Sequence, residues 1–125
     1  MAALVELRAQ HNRLAALPDT IGALRALREL WLRGNELMSL PASVAGLREL
    51  RHLDLRENAL TELPSCLAGL PLLRQLDVRG NRLTRLPGWL VDLPALEKLD
   101  LRWNHGLRES PVTAELERQG CVVLR

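Results

Sequence analysis

The sequence predicts an α/β fold in which short parallel strands stack into a solenoid, a right-handed superhelix with a sheet on its concave side. Leucine supplies 31 of the 125 residues, so most of the core repeats a single environment. A Leu-Pro pair and an asparagine recur at a step of 23 residues, and a period of this length is typical of repeat architectures. The recurring asparagines are Asn12, Asn35, Asn58, Asn81 and Asn104.

Each unit begins with a predicted β-strand ahead of its asparagine. Two apolar columns alternate there with polar positions, which is the pattern of a strand with one buried face. The columns are Leu7, Leu30, Leu53, Leu76 and Leu99, then Ala9, Leu32, Leu55, Val78 and Leu101. Strands of successive units are expected to pair in parallel, roughly 4.8 Å apart. The asparagine ends the strand, because its amide offers a donor and an acceptor to the turn backbone.

The second half of each unit is predicted to form the convex side of the solenoid. Pro18, Pro41, Pro64 and Pro87 break any strand and stiffen the segment that follows. Apolar residues then recur at a spacing of three, which suits short 3₁₀ or helical turns. The two positions directly after each proline vary between units, so we expect them to be exposed.

One unit reads LxxLxLxxNxLxxLPxxIxxLxx, and this pattern resembles a leucine-rich repeat over residues 4–107. The 23-residue length and the LPxxIxxL segment are most similar to the Ras-group repeats of plant intracellular proteins, of Scribble- and Erbin-like scaffolds and of many bacterial proteins. The resemblance implies a solenoid with an internal asparagine ladder, and a function in binding other proteins.

The C-terminal end departs from the repeat. After the last asparagine the pattern slips by one residue, and Ser110 followed by Pro111 is a typical helix start. We expect a helix over residues 112–119, closed by a glycine, and a last strand over residues 121–124. Together these segments predict a C-terminal helical cap.

We therefore predict a single domain over residues 1–125, with about five repeats at 4–107 and the cap at 108–125. No corresponding cap precedes the first strand. Either the polar residues of the first unit cap it, or a segment upstream is absent. The unpaired edge of that strand is compatible with a monomer or with a weak edge-mediated dimer.

Composition argues against several functional classes. The formal net charge of +2 is too balanced to indicate a nucleic-acid or membrane-surface partner. Cys66 and Cys121 are too few for a disulfide framework or a zinc site, and the three histidines fall in different columns, so no metal or cofactor is expected. We find no signal peptide and no apolar stretch of transmembrane length, and therefore expect a cytoplasmic protein.

Catalysis is not expected from these residues. His52 and Asp54 share one face of a strand, which permits an imidazole–carboxylate contact. No serine, cysteine or threonine joins them as a nucleophile in the predicted concave rows. A solenoid of this size also lacks an obvious deep pocket.

The exposed positions of the strands are predicted to form charged columns on the concave face. Aspartates occupy one column, and arginines occupy another two residues further along each strand. One interpretation is structural, because columns of opposite charge relieve the repulsion within each column. The other is a docking surface, since arginine and tryptophan are common interface anchors. The candidate partner-binding residues are Trp31, Arg33, His52, Asp54, Arg56, Asp77, Arg79, Asp100 and Arg102.

The three tryptophans lead to different predictions. Trp31 stands where three other units carry aspartate, so we interpret this apolar group on a charged face as a contact residue. Trp103 is predicted to pack against the C-terminal cap. Trp89 is predicted to be partly exposed on the convex side and to pack against a neighbouring repeat.

The sequence thus predicts a non-catalytic protein-interaction module that binds a partner on its concave face. The alternative is that the repeats are the recognition part of a larger enzyme or effector, such as a kinase, a ligase or a bacterial effector. A consensus-like repeat without any partner is disfavoured by the irregular Trp31 and by the two isolated cysteines.

Overall fold

The computed structural model describes residues 3–125, which form six short parallel strands in one open sheet. The strands follow the chain in order: β1 Glu6–Arg8, β2 Glu29–Trp31, β3 His52–Asp54, β4 Gln75–Asp77, β5 Lys98–Asp100 and β6 Val122–Leu124. The register pairs Leu30 with Leu53, and Leu76 with Leu99, so each column of the repeat is one column of the sheet. The predicted parallel solenoid is confirmed.

Short 3₁₀ turns form the convex side, as predicted. They span Asp19–Ala23, Ala42–Gly46, Ser65–Leu67 and Gly88–Asp92. A proline in extended conformation stands directly before each turn, and its carbonyl accepts a hydrogen bond from the third residue that follows. That third residue is buried in every turn, as Ile21, Val44, Leu67 or Leu90. The proline therefore fixes where each unit turns its apolar residue inward.

The core lies between the sheet and the turns and consists almost entirely of leucine. Leu30, Leu53 and Leu99 have no exposed surface, and burial of one such side chain contributes about 1.5–3 kcal/mol. In the first unit, Leu7 and Ala9 are only partly buried. A unit in the middle of the stack thus depends on both neighbours for its apolar burial.

Asparagine side chains join successive units inside this core. Asn58 Nδ2 donates to the carbonyls of Leu32 and Leu55 at 3.0 and 3.1 Å, and Asn58 Oδ1 accepts from the Leu37 N–H at 3.1 Å. Equivalent bonds are made by Asn35, Asn81 and Asn104. The asparagine ladder implied by the resemblance is therefore present, and each asparagine links its own unit to the preceding one.

The C-terminal segment covers the last repeat. Helix α1 spans Pro111–Arg118, and the Ser110 hydroxyl accepts a hydrogen bond from the Val112 N–H at 3.2 Å. Gly120, at a φ of +93°, turns the chain out of the helix and into β6. The predicted helix and last strand are both confirmed, each within one residue at its ends. No helix within residues 3–125 is both long enough and apolar enough to cross a bilayer.

We expect Asn58→Ala to lower the free energy of unfolding by about 3 kcal/mol, because it leaves buried carbonyl and N–H groups without partners. Asn12 has the same place in the first unit but is exposed, so Asn12→Ala should cost less than about 0.5 kcal/mol. Chemical denaturation followed by circular dichroism measures both values. Equal losses in the two variants would contradict a structural role for the ladder.

Candidate functional site on the concave face

An alternating line of carboxylates and guanidiniums crosses the concave face from β3 to the end of β5. Arg56 Nη2 lies 2.7 Å from Asp54 Oδ2 in its own unit, and Arg56 Nε lies 3.6 Å from Asp77 Oδ2 in the next. Arg79 bridges its own aspartate at 2.7 Å and the following one at 3.2 Å in the same way. We call this line the ion-pair ladder: Asp54, Arg56, Asp77, Arg79, Asp100 and Arg102.

Two carboxylates of the ladder are more deeply buried than the arginines that pair with them. The predicted exposure of Asp54 and Asp100 is wrong, since their residues are only 1% and 2% exposed. The short carboxylate is fixed at the strand end, where Asp54 Oδ1 accepts the Arg56 N–H at 3.0 Å, and the longer arginine covers it. The Arg56 and Arg102 side chains have 23% and 41% of their surface exposed to solvent. At Asp54 and Asp100 a partner therefore meets the guanidinium before the carboxylate, whereas Asp77 and Arg79 are about equally exposed, at 17% and 20%.

Pairing keeps the ladder charged. Burial raises the pKa of the Asp100 carboxyl, but hydrogen bonds from the side chain and backbone of Arg102, together with the charges of Arg79 and Arg102, hold that pKa below its ordinary value. A hydrogen bond to Asp77 raises the pKa of the Arg79 guanidinium above its ordinary value. Asp100 and Arg79 are therefore both charged at neutral pH.

Arg33 lies outside the ladder, although the sequence places it in the same column. Trp31 occupies the position of the missing aspartate, and Arg33 instead pairs with Glu57 of the next unit through bonds of 3.1 and 3.2 Å. This hydrogen bond from Arg33 lowers the pKa of the Glu57 carboxyl. The predicted arginine column is therefore divided into one cross-unit pair and three ladder members.

Trp31 is half-buried in a stack of side chains. The Arg8 guanidinium lies 4.8 Å from the centroid of the indole, and the His52 ring lies 4.3 Å away at an interplanar angle of 25°. Trp31 Nε1 also donates to Glu29 Oε1 at 3.1 Å. His52 is thereby engaged with Trp31, and Asp54 with its arginine, so these two residues do not form the imidazole–carboxylate contact that their spacing permits.

Trp103 is the most exposed aromatic side chain of the described residues, at 58%. The prediction that it packs against the C-terminal cap is therefore wrong. Its ring lies 5.8 Å from the Arg79 guanidinium and 5.9 Å from that of Arg102, at the end of the ladder. Trp89, by contrast, packs partly buried against the core, as predicted.

The backbone explains why Trp103 points outward. It has a φ of +64°, in the left-handed region that bulky residues rarely adopt. The same position has a positive φ in the other units too, as glycine at Gly34 and Gly80 and as a larger residue at His11 and Glu57. In the sequence, these two glycines indicate the conformation of Trp103, because a column that contains glycine is typical of a left-handed turn and not of a packing position.

Two grooves border these residues. One, of 230 Å³, follows the concave face between Trp31 and Lys98 over the carboxylates of the ladder. The other, of 300 Å³, lies between Trp103 and the start of α1, where Arg108 and Arg125 also line it. In the part of the chain that the structure describes, no three histidine, cysteine, aspartate or glutamate side chains are grouped so that they could hold a metal ion.

Comparisons with known proteins agree with this architecture. A family model described as leucine rich repeat matches residues 2–60, 25–83 and 64–105. The solved structure of an LRR protein of Leptospira interrogans is similar, with 35% identity and a TM-score of 0.82 over 91% of this chain and 29% of that one. The leucine-rich repeat domain of the type III effector XopL shows 29% identity and a TM-score of 0.66 over 85% of this chain and 47% of that one. No curated protein matches the chain.

The ladder predicts a specific dependence of stability on pH. Because the pKa of Asp100 is lower in the folded state than the unfolded value of about 3.9, the unfolded chain takes up the proton first as pH falls. Stability contributed by this group is present above about pH 4 and is lost in more acidic solution. Urea unfolding over a pH series should therefore show a shallower acid loss for Asp100→Asn than for the wild type. The control is Asp92→Asn, at an exposed position outside the ladder. The prediction is wrong if the stability of Asp100→Asn falls with pH in parallel with that of the wild type.

The exposed Trp103 predicts a second, unusual effect. Trp103→Gly should change the free energy of unfolding by less than about 1 kcal/mol, because relief of the left-handed backbone offsets two exposed cation–π contacts. Trp31→Ala removes a stacked ring and should cost about 1–2 kcal/mol. Thermal unfolding of both variants compares them. A larger loss from Trp103→Gly than from Trp31→Ala would show that Trp103 stabilises the fold.

Proposed function

The chain belongs to the leucine-rich-repeat family, and on this premise we propose that it is a protein-interaction module that binds its partner on the concave face. Leucine-rich-repeat domains commonly mediate protein–protein interaction, and the family is generally non-enzymatic. The chain spans less than half the length of either solved relative, so the proposal concerns these repeats and not a larger protein.

The observation that carries the proposal is the unused hydrogen-bonding capacity of the ladder arginines. In Arg56, Arg79 and Arg102 the bonds to aspartate use Nε and Nη2. Within residues 3–125, Nη1 of these three arginines has no hydrogen-bond partner. Arg56 and Arg79 line the concave groove, and free donors of this kind suit backbone carbonyls or carboxylates of a protein.

The arginines are also held in place before any partner arrives. Arg56 and Arg79 are each fixed between two carboxylates on neighbouring strands, so little side-chain entropy remains to be lost on binding. In this proposal Asp54, Asp77 and Asp100 are positioning residues, which act through the arginines that cover them. We further propose that residues 1–125 bind as one unit, since the sheet and core are continuous from unit to unit.

Aromatic side chains flank the arginines at both ends. Trp103 stands exposed beyond Arg102, while the stacked pair Trp31 and His52 closes the other end of the ladder beside Arg33. Tryptophan and arginine dominate the binding energy of many protein interfaces. The proposed contact surface therefore consists of the ladder arginines, the exposed Trp103 and the half-buried Trp31.

A paired variant tests the proposal. Arg79→Gln/Arg102→Gln removes two free donor edges from the concave face while the carboxylates beneath can still accept from the introduced amides. Immobilised wild type and variant are exposed to lysate of the source cell, captured proteins are quantified by mass spectrometry, and the affinity of each is then measured directly. We expect a concave-face partner to lose affinity about tenfold or more.

The matched control is Arg82→Gln/Arg85→Gln, which removes the same charge from exposed arginines beyond β4 that have no ion pair in the described chain. The control should bind as the wild type does, and circular dichroism should show that all three proteins are folded. If every partner of the wild type binds the concave variant with unchanged affinity, the ladder has only a structural role.

A second candidate function is favoured by the comparisons. The solved relatives are longer than this chain, and one of them is the leucine-rich repeat domain of a type III effector. The repeats would then be the recognition part of a larger protein. Sequencing the full transcript tests this candidate: coding sequence continuing beyond either end would support it, and stop codons bounding residues 1–125 would exclude it.

A further inference from the structure

A second column of arginines lies at the opposite ends of the strands from the exposed Trp103. Arg28, Arg51 and Arg74 stand directly before β2, β3 and β4. The Arg51 N–H donates to the Arg28 carbonyl at 2.8 Å, and the Arg74 N–H donates to the Arg51 carbonyl at 2.8 Å. These backbone bonds place the three residues side by side on adjacent strands, so their guanidiniums emerge from one line. We call this line the arginine edge.

The arginine edge is less closely paired than the ladder, although the same column continues with Glu97, whose N–H donates to the Arg74 carbonyl at 2.8 Å. Among residues 3–125, no carboxylate comes within 4.0 Å of the Arg28 or Arg74 guanidinium. Arg51 reaches only Glu49, at 4.0 Å, and both side chains are well exposed. In addition, Arg51 Nε is a buried donor without a hydrogen-bond partner. The two arginine columns therefore differ electrostatically: the ladder arginines are held in ion pairs of 2.7–3.6 Å, whereas the described residues give the edge only the 4.0 Å contact of Arg51 with Glu49.

The surroundings leave the edge with an excess of positive charge, although Glu49 and Glu97 lie beside it. The exposed Arg25 and Arg48 each lie three residues before a member of the edge. The nearby Glu29 carboxylate already accepts a hydrogen bond from Trp31 Nε1. Like charges directly opposite one another on adjacent strands are destabilising. The edge thus retains a repulsion that an anionic group from another molecule would relieve.

A groove gives such a group access. It has a volume of 340 Å³ and is lined by Arg28, Glu29, Arg51, His52, Arg74 and Gln75. Adjacent strands lie roughly 4.8 Å apart, so the groove runs across the strands for about 10 Å from Arg28 to Arg74. About three residues of extended chain span this distance. Because alternate side chains of an extended chain point to the same side, a run of about five acidic residues is needed to present three carboxylates to the guanidiniums.

We propose that the arginine edge is a second docking site, and that it binds an acidic, extended segment of a protein partner lying across β2, β3 and β4. Each guanidinium presents a planar fork that matches a carboxylate, and charge-assisted pairs of this kind are the strong ones. The site is separate from the concave ladder, because its three arginines precede the strands and take no part in the aspartate pairs.

A protein segment fits this site better than single-stranded nucleic acid does. Binding of single strands usually combines a cationic groove with aromatic side chains on which bases stack. The aromatic rings near the edge, Trp31 and His52, stack on each other, and Arg8 covers the indole. Among the described residues, no tryptophan lines the groove itself, so bases would find no free indole there on which to stack.

Fluorescence anisotropy with a defined probe tests the proposal. The acidic probe is a labelled Gly-Ser peptide with a central run of consecutive glutamates of the length given above. The glutamine probe is the same peptide with glutamine in place of each glutamate. We expect the full chain to bind the acidic probe and not the glutamine probe. Because exposed pairs are screened by salt, binding should weaken from ~0.05 to ~0.5 M NaCl. Arg28→Gln/Arg74→Gln should weaken binding about tenfold.

Three controls make the outcome decisive. Arg82→Gln/Arg85→Gln removes the same charge elsewhere and should bind the acidic probe as the wild type does, whereas an equal loss would show attraction by net charge alone. Arg79→Gln/Arg102→Gln should also bind the acidic probe as the wild type does. This variant separates the two proposals, because it changes the ladder and leaves the arginine edge intact. The proposal is overturned if the glutamine probe binds equally well, or if a labelled single-stranded oligonucleotide binds the edge more tightly than the acidic probe.

Discussion

No unit of this protein could fold alone, because the hydrogen bonds that complete it come from its neighbours. Each strand has three residues, and an isolated pair of such strands is at best marginally stable. The asparagine ladder supplies what the strands lack. Asn81, for example, donates to the carbonyl of Leu55 in the preceding unit and of Val78 in its own. The spacing between strand and asparagine is therefore a structural constraint, because a shift of Asn81 along the chain would remove this donor from the Leu55 and Val78 carbonyls.

The register that satisfies the asparagines also determines the surface. Because the strands stack without offset, any side chain repeated at the same position becomes a line of equal groups along the sheet. Leucine in such a line gives a core, whereas aspartate alone would give strong repulsion. The ladder avoids this, since Arg79 contacts Asp77 and Asp100 at once and neutralises the line along its length. Where Trp31 interrupts the aspartates, the ladder ends, and stacking of rings and guanidinium replaces it.

The fold was predictable because periodicity reports directly on stacking, and even the C-terminal helix carried a local signal in Ser110 and Pro111. The surface was less predictable, since a repeat assigns a side chain to a column but not to a depth. Asp54 is buried only because a longer arginine covers it, which depends on side-chain conformation. The outward position of Trp103 depends on a left-handed backbone. The column of Arg28 lies just before the strand pattern, so attention to the strands alone overlooks it.

The two arginine columns suggest a division of roles in recognition. An arginine held between carboxylates contributes little long-range field, because its charge is neutralised within a few ångströms, but its free donors are rigidly oriented. Such groups favour a specific geometry of docking. Unpaired arginines on an exposed edge do the opposite: their field extends for about one Debye length, roughly 8 Å at physiological salt, and attracts acidic partners without fixing their orientation. Members of both columns flank strands β3 and β4, so a partner with an acidic segment beside a structured surface could contact both. The association rate would then depend on the arginine edge, and the dissociation rate on the ladder arginines.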